Sequence, residues 1–290
     1  MNESKITSQD VARLAGVSQS AVSRVFTPGA SASKTTIAKV RAAAEQLGYR
    51  PNPLARAMIT GKSRIIGLVV AYLDNQFYPI AIEHLSKALQ DQGYHILVFL
   101  ASNSEDGIES VVADLMDYRV DGIITASVGM SSGLTERCAA AGIPVVMFNR
   151  GQPGSGLSSV TSANVDGGRL VAEFLLAGGH QRIAHIAGWQ GSSTGRDRAQ
   201  GFAQGLAAAG TEAVAVIDGK YDGPTAAAAT RSLMTGANPP DAIFAGNDHM
   251  AFAVMDVLRF DLGLAVPKDV SVVGYDDVPL AAWKSYDLTT

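Results

Sequence analysis

A chain of 290 residues, 47% of them hydrophobic, is long enough for two or three compact units with real cores. Its single cysteine excludes a disulfide framework and any multi-cysteine metal site. The net charge of −4 conceals a split: Met1 to Lys62 holds nine Lys or Arg against three acids, net +6, and the remainder holds 14 against 24, net −10. A basic head on an acidic body fits a nucleic-acid-binding module joined to a body that does not touch nucleic acid. The N-terminus has no apolar core of a signal peptide, and no apolar run approaches a bilayer span. The expectation is a soluble protein of the reducing cytoplasm, with no cofactor and no metal.

The first predicted helix starts at Thr7, where Asp10 three residues on completes a capping-box pattern. Val11, Leu14 and Ala15 fall at helical spacing and predict its apolar face. Gly16 closes it, because glycine enters the left-handed region at little cost. Ser18 caps a second short helix with Ala21, Val22 and Val25 inward and Gln19, Ser20, Ser23 and Arg24 outward. An acid-free polar helix presented by a helix-turn-helix pair suits a DNA major groove. Any small helical hairpin with a polar face is the plainer reading. The Ala-Gly-Val-Ser turn, the basic charge and the following third helix weigh against it.

That third helix is predicted over about Lys34 to Leu47, with Gly48 as its stop. Pro51, Asn52 and Pro53 then break the chain and open a short candidate helix to Ile59. It is too short to be stable alone in water. It is either an ordinary linker or a helix that folds on meeting DNA and a second copy of itself.

From Ser63 strands and helices alternate. Strands are predicted at Ile65 to Val70, His95 to Leu100, Gly122 to Thr125 and Val145 to Phe148. Helices fall at Tyr78 to Gln92, Ser104 to Tyr118 and Leu134 to Ala141. A glycine- and proline-rich interruption at Gly151 to Gly156 precedes a second series. It has strands at Ile183 to Ala187, Val214 to Ile217, Ala242 to Ala245 and Val270 to Tyr275. Its helices are Asp166 to Ala177, Asp197 to Ala209, Pro224 to Met234 and His249 to Phe260. The expected fold is a small all-α helix-turn-helix domain plus a two-lobed α/β core of two doubly wound parallel sheets. The boundaries are 1–50 for the headpiece, 51–62 for the hinge, 63–161 for the first lobe and 162–290 for the second. In such sheets ligands bind beyond the carboxyl ends of strands, and two lobes leave a cleft.

The motifs Asp10-Val11-Ala12…Ala15-Gly16-Val17-Ser18, Val22-Ser23-Arg24-Val25 and Leu47-Gly48-Tyr49…Pro51-Asn52 follow one another in order. Gly178-Gly179-His180-Gln181-Arg182-Ile183, Ala245-Gly246-Asn247-Asp248 and Ser271-Val272-Val273-Gly274-Tyr275-Asp276-Asp277 come later. In that order and spacing the chain resembles, over its whole length, the lac repressor (LacI) family of bacterial transcription regulators. The resemblance implies a homodimeric repressor on a near-palindromic operator, a hinge helix in the minor groove, and a core built like a periplasmic sugar-binding protein. The implied effector is a sugar or sugar derivative.

The resemblance also assigns roles. Gln19, Ser20 and Arg24 match base-reading positions, with Ser20 equally readable as merely small. Glutamine can pair with adenine, and arginine with guanine, through two hydrogen bonds each. Thr7, Ser18 and Ser23 match positions that bond phosphates and fix register. Ala55 and Met58 match the residues facing the minor groove, where the family usually has a leucine wedge in place of Met58. In the cleft the match singles out Phe77, Tyr78, Asn149, Arg150, Arg198, Asn247 and Asp276, with Trp189 a weaker candidate. Phe77 is equally readable as core. These groups suit a ligand rich in hydroxyls or carrying an acid. Asn149 stands where sugar-responsive members often have aspartate, which weighs against a plain sugar. Asp248 is expected to cap the helix after it, Asp277 to lie in a solvent loop, His180 and Arg182 to be structural, and Cys138 to be a buried small hydrophobe.

Family members run further than Thr290. A shortened chain is expected to expose apolar surface and to dimerise weakly. Two rivals come from other classes. A transport-type solute-binding protein predicts a signal peptide and no basic head. An α/β enzyme needs a catalytic constellation, and the sequence offers neither a nucleophile–base pair nor a ligand-spaced histidine cluster. Gly191 to Arg196 resembles a phosphate loop only faintly, because it lacks the Gly-Lys-Ser/Thr ending.

Overall fold

The computed structural model describes residues 6–27, 29–51, 61–101 and 105–290. The chain divides into two compact units, the first essentially the N-terminal 65 residues and the second nearly all of the rest.

The first unit is three helices, α1 (Ser8–Ala15), α2 (Gln19–Phe26) and α3 (Lys34–Leu47). Each has a side-chain N-cap: Thr7, Ser18 and Ser33 accept from the amides of Asp10, Ala21 and Thr36. Thr7 and Asp10 form the complete capping box. Gly16 sits at φ 65°, the left-handed turn that lets α2 cross α1. The core is Val11, Ala12, Ala15, Val22, Val40, Ala43 and Ala44, edged by Val25, Phe26, Leu47 and Tyr49. Leu14 corrects the predicted face of α1: it is 46% exposed, and Ala12 takes the inward position. The helix turns 100° per residue, so a face centred on Val11 and Ala15 includes Ala12 as readily as Leu14.

In the second unit the first lobe carries a five-stranded sheet in the order β2-β1-β3-β4-β5. Its strands are β1 (Ile65–Val70), β2 (His95–Leu100), β3 (Gly122–Ala126), β4 (Val145–Phe148) and β5 (Ser158–Val160). β1 pairs parallel with β3, β3 with β4 and β4 with β5. Helices α4 (Phe77–Asp91), α5 (Glu105–Asp117) and α6 (Ser132–Ala140) connect the strands. β5 was not expected: Ser-Ser-Val is too short and too polar to announce a strand, and all three residues are exposed at the sheet edge.

The second lobe carries β7-β6-β8-β9, with β6 (Ile183–Ala187), β7 (Ala215–Asp218), β8 (Ala242–Ala245) and β9 (Ser271–Val273), parallel throughout. Its helices are α7 (Asn164–Ala177), α8 (Ser193–Ala208), α9 (Gly223–Thr235) and α10 (Asp248–Asp256), the last running into a π-helical segment at Val257–Asp261. α8 begins four residues before its predicted start, because Ser192 accepts from the Gly195 amide at 3.1 Å and caps it. His180 and Arg182 gather round Asp241, whose carboxylate accepts from the Arg182 amide and lies 3.5 Å from His180 Nδ1. Cys138 is a free thiol buried in α6.

α7 and α8 cross almost backbone to backbone. A Cβ at Gly201 would fall 1.8 Å from the Val165 carbonyl oxygen, and one at Gly168 would fall 2.2 Å from that of Arg198. Backbone cannot yield at those distances as a side chain can. Gly201→Ala is therefore expected to cost about 3 kcal/mol, read by denaturant unfolding. An unchanged midpoint would show that the crossing tolerates a methyl group.

His185 in β6 is fully buried, stacked on Phe244 at 4.4 Å, and its neutral Nδ1–H donates to the Phe244 carbonyl at 3.0 Å. Burial lowers its pKa to about 4. The unfolded chain thus takes up a proton near pH 6.5 that the folded chain refuses, and stability falls as pH drops from 6.5 toward 4. His185→Leu should lack this loss, about 3 kcal/mol between those pH values. Parallel pH profiles for the two proteins would refute it.

Candidate functional site

In the headpiece, the exposed face of α2 presents Gln19, Ser20, Ser23 and Arg24, while Val22 packs beneath them. Gln19 Nε2 donates to Ser8 Oγ at 2.9 Å, and the Ser18 and Ser20 hydroxyls lie 3.0 Å apart. The Arg24 guanidinium makes no hydrogen bond or ion pair among the described residues. Thr7 gives its hydroxyl proton to Asp10 Oδ2 at 2.7 Å, so in this state it serves the cap. Ala55 and Met58 lie outside the described residues.

In the second unit the candidate ligand groups collect where the strands of both lobes end. Tyr72 follows β1, Ser127 follows β3, and Asn149 and Arg150 follow β4. Tyr221 follows β7, Gly246 and Asn247 follow β8, and Tyr275 and Asp276 follow β9. This is where parallel α/β sheets offer open backbone and free helix N-termini. One pocket is lined by Tyr78, Asn149, Arg150, Arg198, Asn247 and Asp276, six of the seven positions expected from the sequence, together with Tyr72, Asp74, Asn75, Ser127, Thr194 and Tyr221.

Phe77 is the seventh and belongs elsewhere. It stacks on Phe148 at 6.0 Å and faces an apolar groove with Ile80, His84 and Leu85. Consecutive helix positions point about 100° apart, so Phe77 and Tyr78 cannot share one face, and Tyr78 has the cleft. Its hydroxyl is hydrogen-bonded to Ser127 Oγ and accepts from Asn149 Nδ2 at 3.3 Å.

Arg198 is the centre of the pocket. It is 3% exposed and held on every side. Its Nε donates to Asn164 Oδ1 at 3.0 Å, Nη1 to the Gly246 carbonyl at 2.7 Å and Nη2 to Asp276 Oδ1 at 3.0 Å. The guanidinium lies 3.7 Å over the ring of Tyr275. Asp276 has φ 119°, in a region that side chains rarely adopt. Such strain persists where surrounding contacts over-determine it, and it is often found at ligand sites.

Asn247 is divided between two jobs. It lines the pocket, and its Oδ1 accepts from the Met250 amide at 3.0 Å and caps α10, a role expected of Asp248. Asp248 is instead fully buried, and its Oδ2 accepts from the Val278 amide at 2.9 Å. One residue earlier is the N-cap, whose extended φ and ψ let its side chain reach back over the first turn. Asp277 is exposed, as expected of a loop position.

Beyond Arg150 the cleft widens into a second cavity of about 300 Å³, lined from the first lobe by Met130, Ser131 and Gln152 and from the second by Trp189, Ser193 and Arg196. The inner pocket holds only about 20 Å³, room for a water and far below the ~300 Å³ of an ordinary small-molecule site. That space is too small for a sugar-sized ligand to lie against Asp276. Gln152 braces the outer cavity: its Oε1 accepts from the Met130 amide at 3.1 Å and its Nε2 donates to the Met130 carbonyl at 2.8 Å. The Gly151 amide crosses to Ser193 Oγ at 2.9 Å, a direct bond between lobes. Tyr72, Ser127 and Tyr221 escaped the reading of the sequence, although their positions just past strand ends could have flagged them. Arg196 carries no signal in the sequence beyond its run's faint likeness to a phosphate loop.

An exposed polar helix on a three-helix domain, followed by a two-lobed parallel α/β core with a polar cleft, defines the class of ligand-responsive helix-turn-helix regulators. Known proteins agree. Residues 7–52 match the bacterial regulatory proteins of the lacI family, and residues 63–284 match the periplasmic binding proteins and sugar-binding domain of the LacI family. The chain is 36% identical to the HTH-type transcriptional regulator CelR of Thermobifida fusca over 95% of its own length and 83% of the relative's. It is 32% identical to the ribose operon repressor of Escherichia coli (strain K12), over 98% of its own length and 87% of the relative's. Its fold superposes on the lac repressor dimer bound to operator and the anti-inducer ONPF with a TM-score of 0.85, at 30% identity over 98% of this chain and 86% of that one. The chain belongs to the lacI family of bacterial helix-turn-helix transcriptional regulators.

Burial raises the Asp276 carboxyl to about 6 against the opposing pull of Arg198. Below that value the folded state holds a proton that the unfolded state releases until about pH 3.8, so this group's contribution to stability grows as pH falls from 6 toward 4. Wild type should gain about 3 kcal/mol relative to Asp276→Asn between pH 7 and pH 4, measured by urea unfolding. A constant difference would show that Asp276 titrates as an ordinary surface carboxylate.

Proposed function

We propose that this chain is a repressor that binds a near-palindromic operator as a homodimer and changes its grip when a small sugar-like effector occupies the interlobe cleft. Gln19, Ser20 and Arg24 read base edges in this account, and Thr7, Ser18 and Ser23 hold phosphates. Ala55 and Met58 act at the minor groove of the operator centre. The proposed division is headpiece 1–50, hinge 51–62, first lobe 63–161 and second lobe 162–290.

The observation that carries the reading is the convergence of Tyr78, Asn149, Arg198, Asn247 and Asp276 from two lobes onto one pocket. A rigid scaffold would need no such polar seam. One that opens and closes does, since hydroxyls of a ligand can replace the hydrogen bonds that opening breaks. Asn149 and Asp276 then hydrogen-bond effector hydroxyls, and Arg198 fixes Asp276 in place. The relatives support a ligand of this kind: one solved relative is a CelR–cellobiose complex, 34% identical over 96% of this chain, and the lac repressor structure holds ONPF. No catalytic step is assigned to the cleft. The site of action is the cytoplasm, where operator DNA is found.

Arg24→Ala tests the DNA half of the proposal. It should weaken operator binding by about 1–3 kcal/mol and relax the preference for one base pair, with far less effect on random DNA, in a gel-shift series on point-substituted operators. Equal loss on operator and random DNA would make Arg24 a phosphate contact. On the ligand half, a hydroxyl bonded to ionised Asp276 lowers that group's pKa, so effector affinity should fall as pH drops through about 6. A flat profile in calorimetry would remove Asp276 from the site.

A further inference from the structure

Arg150 is the one buried guanidinium of the cleft that has no counter-charge among the described residues. It is only 8% exposed, and its Nε has no hydrogen-bond partner. Among the described residues its close partner is the face of Trp189, 5.0 Å away, which carries no charge. Arg198, by contrast, has Asp276. A buried cation without an acid is costly, and a site keeps one where a ligand supplies the missing charge.

The surroundings point the same way. The outer cavity that Arg150 shares is lined by Ser131 and Ser193, at the N-terminal ends of α6 and α8. Both helix ends are capped by serine hydroxyls, and each brings the positive end of its dipole near this space. Arg196, in the first turn of α8, adds a second cation on the exposed side, with its Nη1 donating to the Gln190 carbonyl at 3.1 Å. Among the described residues, the acids at the rim of the cleft do not answer these charges. Glu109 stands exposed at the outer rim and its Oε1 accepts from Ser131 Oγ, and Asp74 is exposed beside the inner pocket and its Oδ1 accepts from the Asn75 amide.

We propose that the effector is anionic: a carboxylate or phosphate group seats in the outer cavity against Arg150, with Arg196 at its mouth, while hydroxyls on the same ligand face Asn149 and Asp276. This rests on the cleft being the effector site and adds the ligand's charge. It also gives the two arginines separate work, Arg198 as framework and Arg150 as recognition.

The test uses the full chain and defined probes. Melting temperature is followed against sodium phosphate, sodium gluconate and neutral glucose, each at matched ionic strength in chloride. Phosphate or gluconate should raise it with saturation, and which of the two acts identifies the anion. Arg150→Met should weaken the response about tenfold or more, as expected for loss of a charge-assisted pair. Lys39→Ala, which removes a charge from the basic headpiece, should keep it. Arg150→Met should also melt no lower than wild type without ligand, since it removes a buried unpaired charge; this readout shows that the variant folds.

A response to neither anion, or an anion response that survives Arg150→Met, overturns the proposal. If a neutral sugar changes operator binding while anions do nothing, the cleft remains the effector site and only the charge assignment fails. If an anion saturates through Arg150 and operator binding never moves, the anion site stands and the effector reading fails.

Discussion

The cleft depends on how Arg198 is held. Its guanidinium is gripped by an amide from the start of α7, a carbonyl from the end of β8 and a carboxylate from the end of β9, and it lies over an aromatic ring. Three elements, up to 78 positions from Arg198 in sequence, are thereby fixed to one planar group. A planar fork with five donors in fixed directions can bridge these acceptors and still lie flat on the ring; the ammonium of lysine has three donors and no plane to stack. The arrangement is possible because α8 approaches α7 at the distance of two glycines. Gly168 and Gly201 let the helices close, and that closure places Arg198 beside Asn164.

The pair this creates includes a carboxyl whose charged form burial disfavours. Burial costs Asp276 more than Arg198 returns, which is why its carboxyl titrates near 6, and its backbone also sits at an unfavourable φ. Buried ion pairs often cost as much as they contribute. What they supply is a charge of fixed position and direction. Asp276 and Arg150 thus frame the cleft with one acid already paired and one base unpaired. His185, in strand β6 of the same sheet, titrates in the opposite sense, so the two effects offset each other across mildly acidic pH.

Much of this was legible in the sequence, and the reasons are physical. The helix ends of the headpiece are written in Thr7, Gly16, Ser18 and Gly48, because capping is a local interaction. The buried strands of both lobes are written as short apolar runs because both faces are covered. β5 was not legible, since an exposed three-residue edge strand needs only a neighbour to pair with. The side chosen by Leu14 was not legible either, because α1 is too short for its periodicity to fix a face. In the site, the family resemblance points to Arg150 and Asp276, just past strand ends, and to Arg198 in α8. What sequence cannot carry is the pairing. Nothing in the order of residues says that Arg198 is satisfied and Arg150 is not, or that Asn247 rather than Asp248 turns back to cap α10.

The central claim is that occupancy of the cleft and grip on the operator are two readings of one equilibrium. Reciprocity tests it most directly. Operator affinity is measured by fluorescence anisotropy across a titration with a compound that stabilises the core, and the affinity for that compound is measured with and without saturating operator. The account predicts that the operator constant shifts by about five- to 150-fold and that the compound's own affinity shifts by the same factor. Tight binding of the compound with an operator constant that does not move would contradict it.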